Sequence, residues 1–176
     1  TFSARNFPCG YLGIYNACAT FSESLLIGST LIDGGYMNNV VCASSSHFSS
    51  AERQYRYPLE LGNTRPPQAQ WTVTGAGATV ISNCGDGPKL TCATVGRVVD
   101  FGVSDANNMG AAMAPAAADC IYTHFKETGL DVDYYDHIVT GDLANVGTTL
   151  LYELLAKRGL NITHKHLDTG KMIYDA

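Results

Sequence analysis

The order in which apolar segments follow one another constrains the fold of this chain more than any single motif. Short apolar runs typical of buried strands alternate with longer periodic patterns typical of amphipathic helices. The predicted strands cover residues 10–16, 38–43, 73–83, 89–99 and 136–140, and the predicted helices cover residues 22–32, 115–128 and 145–158. This alternation predicts an α/β layered fold with a mixed sheet.

Turn-forming residues set the expected boundaries of these elements. Residues 84–87, Cys-Gly-Asp-Gly, separate two apolar runs and predict a hairpin. Pro115 lacks a backbone N–H and therefore suits the first turn of a helix. Gly34-Gly35 and Gly159 follow helical patterns, where glycine permits the left-handed turn that ends a helix.

Cys18 lies at the first strand-to-helix junction, between the run at residues 10–16 and the pattern at residues 22–32. A thiol at that point meets the first free N–H groups of the helix, and the helix dipole favours its thiolate form. The junction could therefore hold a nucleophile or bind an anion. Because free cysteines also commonly pack in protein cores, the local pattern leaves that alternative open.

The long segment at residues 44–72 exceeds the usual length of a connection in a compact domain, which favours a binding loop or lid. It contains His47, followed by Arg53 and Arg56, which are interleaved with tyrosines. Guanidinium groups beside aromatic rings suit a flat aromatic ligand that carries carboxylates. The same residue types are also common on surfaces and interfaces.

The six cysteines form no C-x-x-C pair, and several lie in strand-like or helical runs, so they are expected to be reduced core residues of a protein folded in a cytoplasm-like compartment. His164 and His166 alternate along a predicted strand, which would place both rings on one face. A pair without a third ligand rarely makes a metal site, so no metal centre is predicted.

Charge and hydropathy exclude further classes of function. The net charge of −5 disfavours nucleic-acid binding, which needs a basic face. No stretch approaches the ~20 uncharged apolar residues of a membrane-spanning helix. Any association with a membrane is therefore expected to be peripheral.

The sequence Ala-Cys-Ala at residues 17–19, between a predicted strand and a helix, resembles the nucleophile turn of the thiolase and ketoacyl-synthase superfamily. Further segments make the chain similar to one branch of it, the stage V sporulation protein AD family of endospore-forming bacteria. These segments are residues 42–47, 51–58, 72–78, 113–119 and 140–143. The similarity extends over residues 11–175, nearly the whole chain.

The resemblance implies a thiolase-like layered fold with mixed β-sheets and helices, present here as an incomplete fragment of a two-half fold. Residues 1–100 would end the first half, and residues 101–176 would begin the second. The chain is therefore expected to be the middle of a protein roughly twice as long.

The resemblance also implies that the site is not catalytic. Gly141 occupies the position where the related condensing enzymes have a histidine, and His137 lies upstream in or beside the predicted strand. Asp142, next to that position, would raise the pKa of a neighbouring thiol by like-charge repulsion. Alternatively, Asp142 is a turn or capping residue for the helix that follows.

The resemblance implies that the protein binds dipicolinic acid, pyridine-2,6-dicarboxylate, so that this ligand is taken up into the developing spore. The implied ligand-binding residues are Cys18, His47, Arg53, Arg56 and Asp142, with no cofactor except calcium that could accompany the ligand. Two alternatives remain open: an acyltransferase or condensing enzyme that uses Cys18, and a structural subunit with a vestigial pocket.

The family further implies an assembly. The protein is expected to be a homodimer that pairs residues 9–16 across a two-fold axis. It is also expected to be soluble and peripherally associated with the forespore or spore inner membrane. Its partners there would be other membrane proteins of the stage V sporulation A group.

Overall fold

The structure, a computed structural model, describes residues 3–48, 62–64, 66–69 and 73–173 of the 176-residue chain. Its strands and helices are β1 (Asn39–Ser46), β2 (Gly75–Ser82), β3 (Ile138–Thr140), β4 (His166–Asp168), α1 (Thr20–Asp33), α2 (Met109–Thr128), α3 (Ala144–Ala156) and α4 (Thr169–Ile173). This mixture of helices and small sheets confirms the prediction of an α/β protein. That it is a thiolase-like fragment stays a prediction.

The chain divides into two compact units. One consists of Thr1–Ser45 with Gly75–Thr91, and the other of Ser46–Thr74 with Cys92–Ala176. That residues 1–100 end the first half of a thiolase-like fold and residues 101–176 begin the second half stays a prediction.

In the first unit, α1 packs on the sheet formed by β1 and β2. The N–H of Asn83 donates to the carbonyl of Asn38 at 3.2 Å, so the start of β1 lies beside the end of β2. Gly28 permits the close approach of α1, because a Cβ there would lie 2.7 Å from Cδ1 of Ile81. The buried Cys42 thiol donates to the carbonyl of Ser24 at 3.2 Å.

Two predicted strands are wrong, and so is the predicted hairpin. Residues 10–16 and residues 89–99 contain no strand, and β2 pairs with β1 rather than with the segment after residue 87. An apolar run indicates a side-chain pattern but does not specify which backbone lies beside it. Without a ladder partner in the described residues, both segments stay exposed: Tyr11 is 71% exposed and Val98 is 96% exposed.

The second unit is built on the contact between α2 and α3. Gly110 and Gly147 lie at the crossing, where a Cβ on Gly110 would be 2.5 Å from the carbonyl oxygen of Leu143 and 2.9 Å from the nitrogen of Gly147. Small residues at this point let the two backbones meet, and larger apolar side chains fill the space on either side. The buried cluster consists of Ala118, Phe125, Val132, Leu143, Leu151, Leu155 and Ile162.

Helix α2 begins at Met109, not at Pro115 as the sequence suggests. The side chain of Asn108 accepts from the N–H of Ala111 at 3.1 Å and caps the helix there. Pro115 is a buried residue inside the helix, where it removes one backbone hydrogen bond. The predicted end of the helix is confirmed, since Gly129 at φ +70° follows Thr128.

Strands β3 and β4 are parallel, with Ile138 opposite His166 and Thr140 opposite Asp168. β3 is shorter than predicted and is not buried, because Val139 is 58% exposed. Helix α3 begins shortly after β3, and α4 begins directly after β4. The carboxyl ends of both strands therefore meet the first residues of both helices at one edge, the edge at which parallel sheets commonly bind ligands.

Candidate functional site

The turn between β3 and α3 has an unusual backbone. Asp142 has φ +61° and Ala144 has φ +54°, in the left-handed region that residues other than glycine rarely adopt. Such conformations are costly and persist where the surrounding contacts enforce them, as they often do at functional sites. This turn carries Gly141 and Asp142, the two positions that the sequence analysis singled out.

Asp168, at the end of β4, holds the turn in place. Its carboxylate accepts from the hydroxyl of Thr140 at 2.7 Å and from the N–H groups of Leu143 at 2.9 Å and Ala144 at 3.0 Å. The N–H of Lys171 on α4 donates to it at 3.3 Å. Asp168 is only 4% exposed, so these donors replace the water that an ionised carboxylate would otherwise require. Its charge also lies beside the first free N–H groups of α3, where it is stabilising.

A chain of side-chain hydrogen bonds continues from Asp168 into the core. Because the hydroxyl of Thr140 donates to Asp168, it accepts from Nε2–H of His166, at 2.8 Å. Nδ1 of His166 then accepts from the hydroxyl of Tyr152 at 2.9 Å. Burial lowers the pKa of His166, which fits the neutral ring that this arrangement requires. We call Thr140, Asp142, Tyr152, His166 and Asp168 the carboxyl-end cluster.

Asp142 lies beside Asp168 in this cluster. Burial, and then the negative charge of Asp168, raise its pKa to about 7. Gly170 at the start of α4 makes room for both carboxylates, because a Cβ there would lie 2.6 Å from Oδ1 of Asp142 and 3.1 Å from Oδ2 of Asp168. At neutral pH, Asp142 therefore exists partly as a neutral acid that can donate a hydrogen bond.

Gly141 is exposed and has space around it. A Cβ at this position would approach only Oγ1 of Thr169, at 3.8 Å, within ordinary contact distance. The turn could therefore accommodate a side chain such as histidine, although the chain supplies none there. His137 lies before β3 and is exposed, as expected for a residue outside the cluster.

Cys18 belongs to the first unit, where it lies in a 3-10 turn, Ala17–Ala19, that precedes α1. The thiol is exposed, so its interpretation as a core residue is wrong. Helix α1 starts at Thr20, two residues before its predicted start at residue 22. Ala17 before it has φ +44°, and the turn is closed by Thr20, whose hydroxyl donates to the carbonyl of Ala17 at 2.7 Å.

Three further predicted ligand residues follow β1 in the sequence. His47 follows that strand and is exposed. Arg53 and Arg56 lie outside the described residues. Cys18 belongs to one compact unit and Asp142 to the other, so the proposed ligand set stays a prediction.

The two histidines considered as metal ligands have separate environments. Nε2 of His164 lies 3.0 Å from Oδ1 of Asp133 on the surface, whereas His166 is buried in the carboxyl-end cluster. They therefore do not share one face of a strand. Across the described ranges, no group of three or more His, Cys, Asp or Glu residues is arranged to hold a metal ion.

Asp119 is the last residue of the Pro-Ala-Ala-Ala-Asp motif in α2. Its carboxylate binds an arginine from an irregular segment and so holds that segment against the helix. Arg97 donates to it through Nε at 2.8 Å and Nη2 at 3.0 Å, and Arg158 adds a contact at 3.3 Å. The hydrogen bonds from Arg97 are the main reason that the pKa of Asp119 is lowered. This motif residue therefore has a structural role within the second unit.

The fold and the cluster define a mixed α/β protein with a strained, acidic turn where parallel strands meet helix N-termini. A family model described as stage V sporulation protein AD matches residues 1–176. The chain is 44% identical over 173 residues to stage V sporulation protein AD of Bacillus subtilis (strain 168), an alignment that covers 98% of this chain and 51% of that protein. The chain belongs to the stage V sporulation protein AD family, and it spans about half the length of this curated relative.

Sequence reasoning found Gly141 and Asp142 but missed the roles of Asp168, Thr140 and Tyr152. Their only sequence signal is that each follows or lies in a short apolar segment, which is too common to be selective. In the described part of the chain, no helix has the length and apolar character needed to cross a bilayer.

Proposed function

We propose that this chain is part of a sporulation protein that binds dipicolinic acid, pyridine-2,6-dicarboxylate, for uptake into the developing spore, and that it does so without catalysis. Membership of the stage V sporulation protein AD family supports the sporulation role. The observation that carries the non-catalytic part is the turn at residues 140–144, which has Gly141 where condensing enzymes place a histidine. Calcium accompanying the ligand belongs to the same proposal.

The carboxyl-end cluster supports binding over acyl chemistry. His166 is the imidazole of this cluster, and both of its ring nitrogens are already hydrogen-bonded, to Thr140 and Tyr152. The Nδ1 lone pair, which a general base would use to take up a proton, accepts from the hydroxyl of Tyr152. Asp142, with a pKa of about 7, can instead donate a hydrogen bond to a ligand carboxylate when it is protonated.

Dicarboxylate recognition would draw on cationic and dipolar groups. The 3-10 turn at Cys18 leads into α1, whose first N–H groups favour an anion. Arg53 and Arg56 supply guanidinium groups that pair with carboxylates in a bidentate manner. His47 is exposed after β1 and completes the proposed set with Asp142 and Cys18.

Removing either arginine should weaken binding. We expect Arg53→Ala and Arg56→Ala in the full-length protein each to raise the Kd for dipicolinate about tenfold or more, because a charge-assisted hydrogen bond contributes about 1.5–3 kcal/mol. Titration calorimetry measures this, with Arg5→Ala as a matched loss of one positive charge. Unchanged affinity in both variants and in a bulky Cys18→Trp variant would place the ligand elsewhere.

The strained backbone at Ala17 and the exposed Cys18 favour a second candidate, an acyltransferase or condensing enzyme. Our proposal predicts that the full-length protein does not turn over acyl-CoA, because loss of a positioned base typically costs about 100- to 10,000-fold. Intact-protein mass spectrometry after incubation with acetyl-CoA and longer acyl-CoAs tests this, with Cys18→Ser as the control. Rapid, stoichiometric acylation of Cys18 followed by product release would favour the enzyme.

The assembly remains part of the proposal. We expect a homodimer that is peripherally associated with the forespore or spore inner membrane, together with other stage V sporulation A membrane proteins. In this chain, residues 10–16 form no strand, and the side chains of Tyr11 and Leu12 are exposed. If neither a ligand nor acyl transfer is found, the third candidate, a structural subunit with a vestigial pocket, gains support.

A further inference from the structure

We infer that Asp142 and Asp168 form a pH-sensitive latch that closes the turn at residues 141–144 when Asp142 is protonated and loosens it when Asp142 ionises. The latch joins β4 to the first turns of α3 and α4. It concerns the local stability of the turn and does not depend on which ligand the protein binds.

The hydrogen bonds determine which of the two acids carries the negative charge. Asp168 accepts from one hydroxyl and from backbone N–H groups of α3 and α4, all of which are donors. A carboxylate surrounded by donors is stabilised in its ionised form. Asp142 has no comparable set of donors in the described residues, so the proton of the pair belongs to Asp142.

The packing around Gly170 holds the two acids together. Oδ1 of Asp142 and Oδ2 of Asp168 both approach the point that a Cβ of Gly170 would occupy, at 2.6 Å and 3.1 Å. The two oxygens are therefore at most about 6 Å apart, a distance at which two negative charges repel measurably. When Asp142 ionises, the turn can relieve that repulsion by moving Asp142 into solvent.

The other titratable groups around Asp142 come from β4, α3 and α4. His166 and Asp168 lie on β4, Tyr152 lies on α3, and Lys171 lies on α4. Burial lowers the pKa of His166 and raises that of Tyr152, so burial favours the neutral form of both side chains. Within the described residues, no ion pair of Lys171 with Asp142 is formed. Protonation of His166 would also have the opposite sign, because it would loosen the cluster as the pH falls.

The direction of the effect follows from the two protonation states. The pKa of Asp142 is about 7 in the closed turn and near its ordinary value of 3.8 when the side chain is in water. The closed turn therefore binds more protons, and the open fraction rises as the pH increases between these values and becomes constant above about 7. At its steepest, the ratio of open to closed turn rises about tenfold per pH unit.

Amide hydrogen exchange in the full-length protein tests the latch. The N–H groups of Leu143 and Ala144 donate to Asp168, so their exchange reports opening of the turn. After correction for the intrinsic exchange rate, we expect their protection to fall severalfold to tenfold per unit between pH 5 and 7 and then to stop changing. The N–H of Ala111, which donates to the amide side chain of Asn108, is the internal control and should show no such slope.

Two variants make the result decisive. Asp142→Asn keeps the shape of the neutral acid and tolerates the left-handed backbone, so its turn should stay protected at every pH. Asp142→Gly removes the carboxyl group without backbone strain and should also abolish the slope. A flat profile in the unmodified protein, or an unchanged slope in either variant that folds, would overturn the inference.

Discussion

Replacing Asp168 with alanine should destabilise the second unit by about 3–5 kcal/mol. The substitution leaves the hydroxyl of Thr140 and the N–H groups of Leu143 and Ala144 without their acceptor in a buried place. Each buried donor left unpaired costs about 1–3 kcal/mol, and relief of the repulsion with Asp142 recovers only part of the loss. Urea denaturation of the full-length protein at pH 6 measures the change in the free energy of unfolding.

Asp131→Ala is a matched control for this prediction. Asp131 is also an acceptor for a backbone N–H, that of Asp133 at 2.9 Å, but it is exposed. Water can replace its single contact, so the loss should not exceed about 1 kcal/mol. Equal effects of the two substitutions would mean that Asp168 is not the centre of the cluster.

Gly110→Ala should have the second-largest effect on stability, a net loss of about 1–2 kcal/mol. The new Cβ would lie 2.5 Å from the carbonyl oxygen of Leu143 and 2.9 Å from the nitrogen of Gly147, so backbone atoms rather than a flexible side chain must move. Overpacking of this kind costs about 1–3 kcal/mol and occasionally more, against a gain of about 1 kcal/mol in helix propensity. The clash also displaces the first turn of α3, so protection of the Leu143 amide should fall with it.

Ala112→Val, on the same helix, separates a clash from a general effect of added volume. Ala112 is exposed, so the larger side chain meets solvent and should change stability by no more than about 0.7 kcal/mol through helix propensity. Thermal and urea denaturation of both variants provide the comparison. If Gly110→Ala is as stable as Ala112→Val, the close crossing of α2 and α3 is not a feature of the folded protein.

The helices were the part of the fold that the sequence predicted best. The apolar spacing placed α1 and α3 within a few residues, and Gly159, at φ +77°, follows α3 as expected. Pro115 misled the placement of α2, because a proline that suits a first turn is also tolerated inside a helix when the surrounding packing compensates for its lost hydrogen bond.

The strands were predicted less well because pairing is not a local property. Residues 89–99 have the apolar content of a strand, yet they are held to α2 by side chains. Arg97 binds Asp119, and the hydroxyl of Thr94 lies 2.8 Å from Nδ1 of His124. No periodicity in the segment itself could reveal these partners.

The candidate site shows the same division between local and distant information. Gly141 and Asp142 could be found because they are adjacent in the sequence and lie at a strand end. Asp168 could not, since its role depends on the parallel register that brings it opposite Thr140. The raised pKa of Asp142 likewise follows from that distant neighbour and from burial.

The proposed function of this family member is recognition of a pyridine dicarboxylate. Titration calorimetry of the full-length protein with dipicolinate and with the monocarboxylate picolinate tests it most directly. The two ligands share the same ring and differ by one carboxylate, so their difference in affinity measures recognition of the second anionic group. We predict that dipicolinate binds at least about tenfold more tightly, because the second carboxylate adds one or more charge-assisted hydrogen bonds. Equal affinities for the two ligands, or no binding of dipicolinate, would contradict the account.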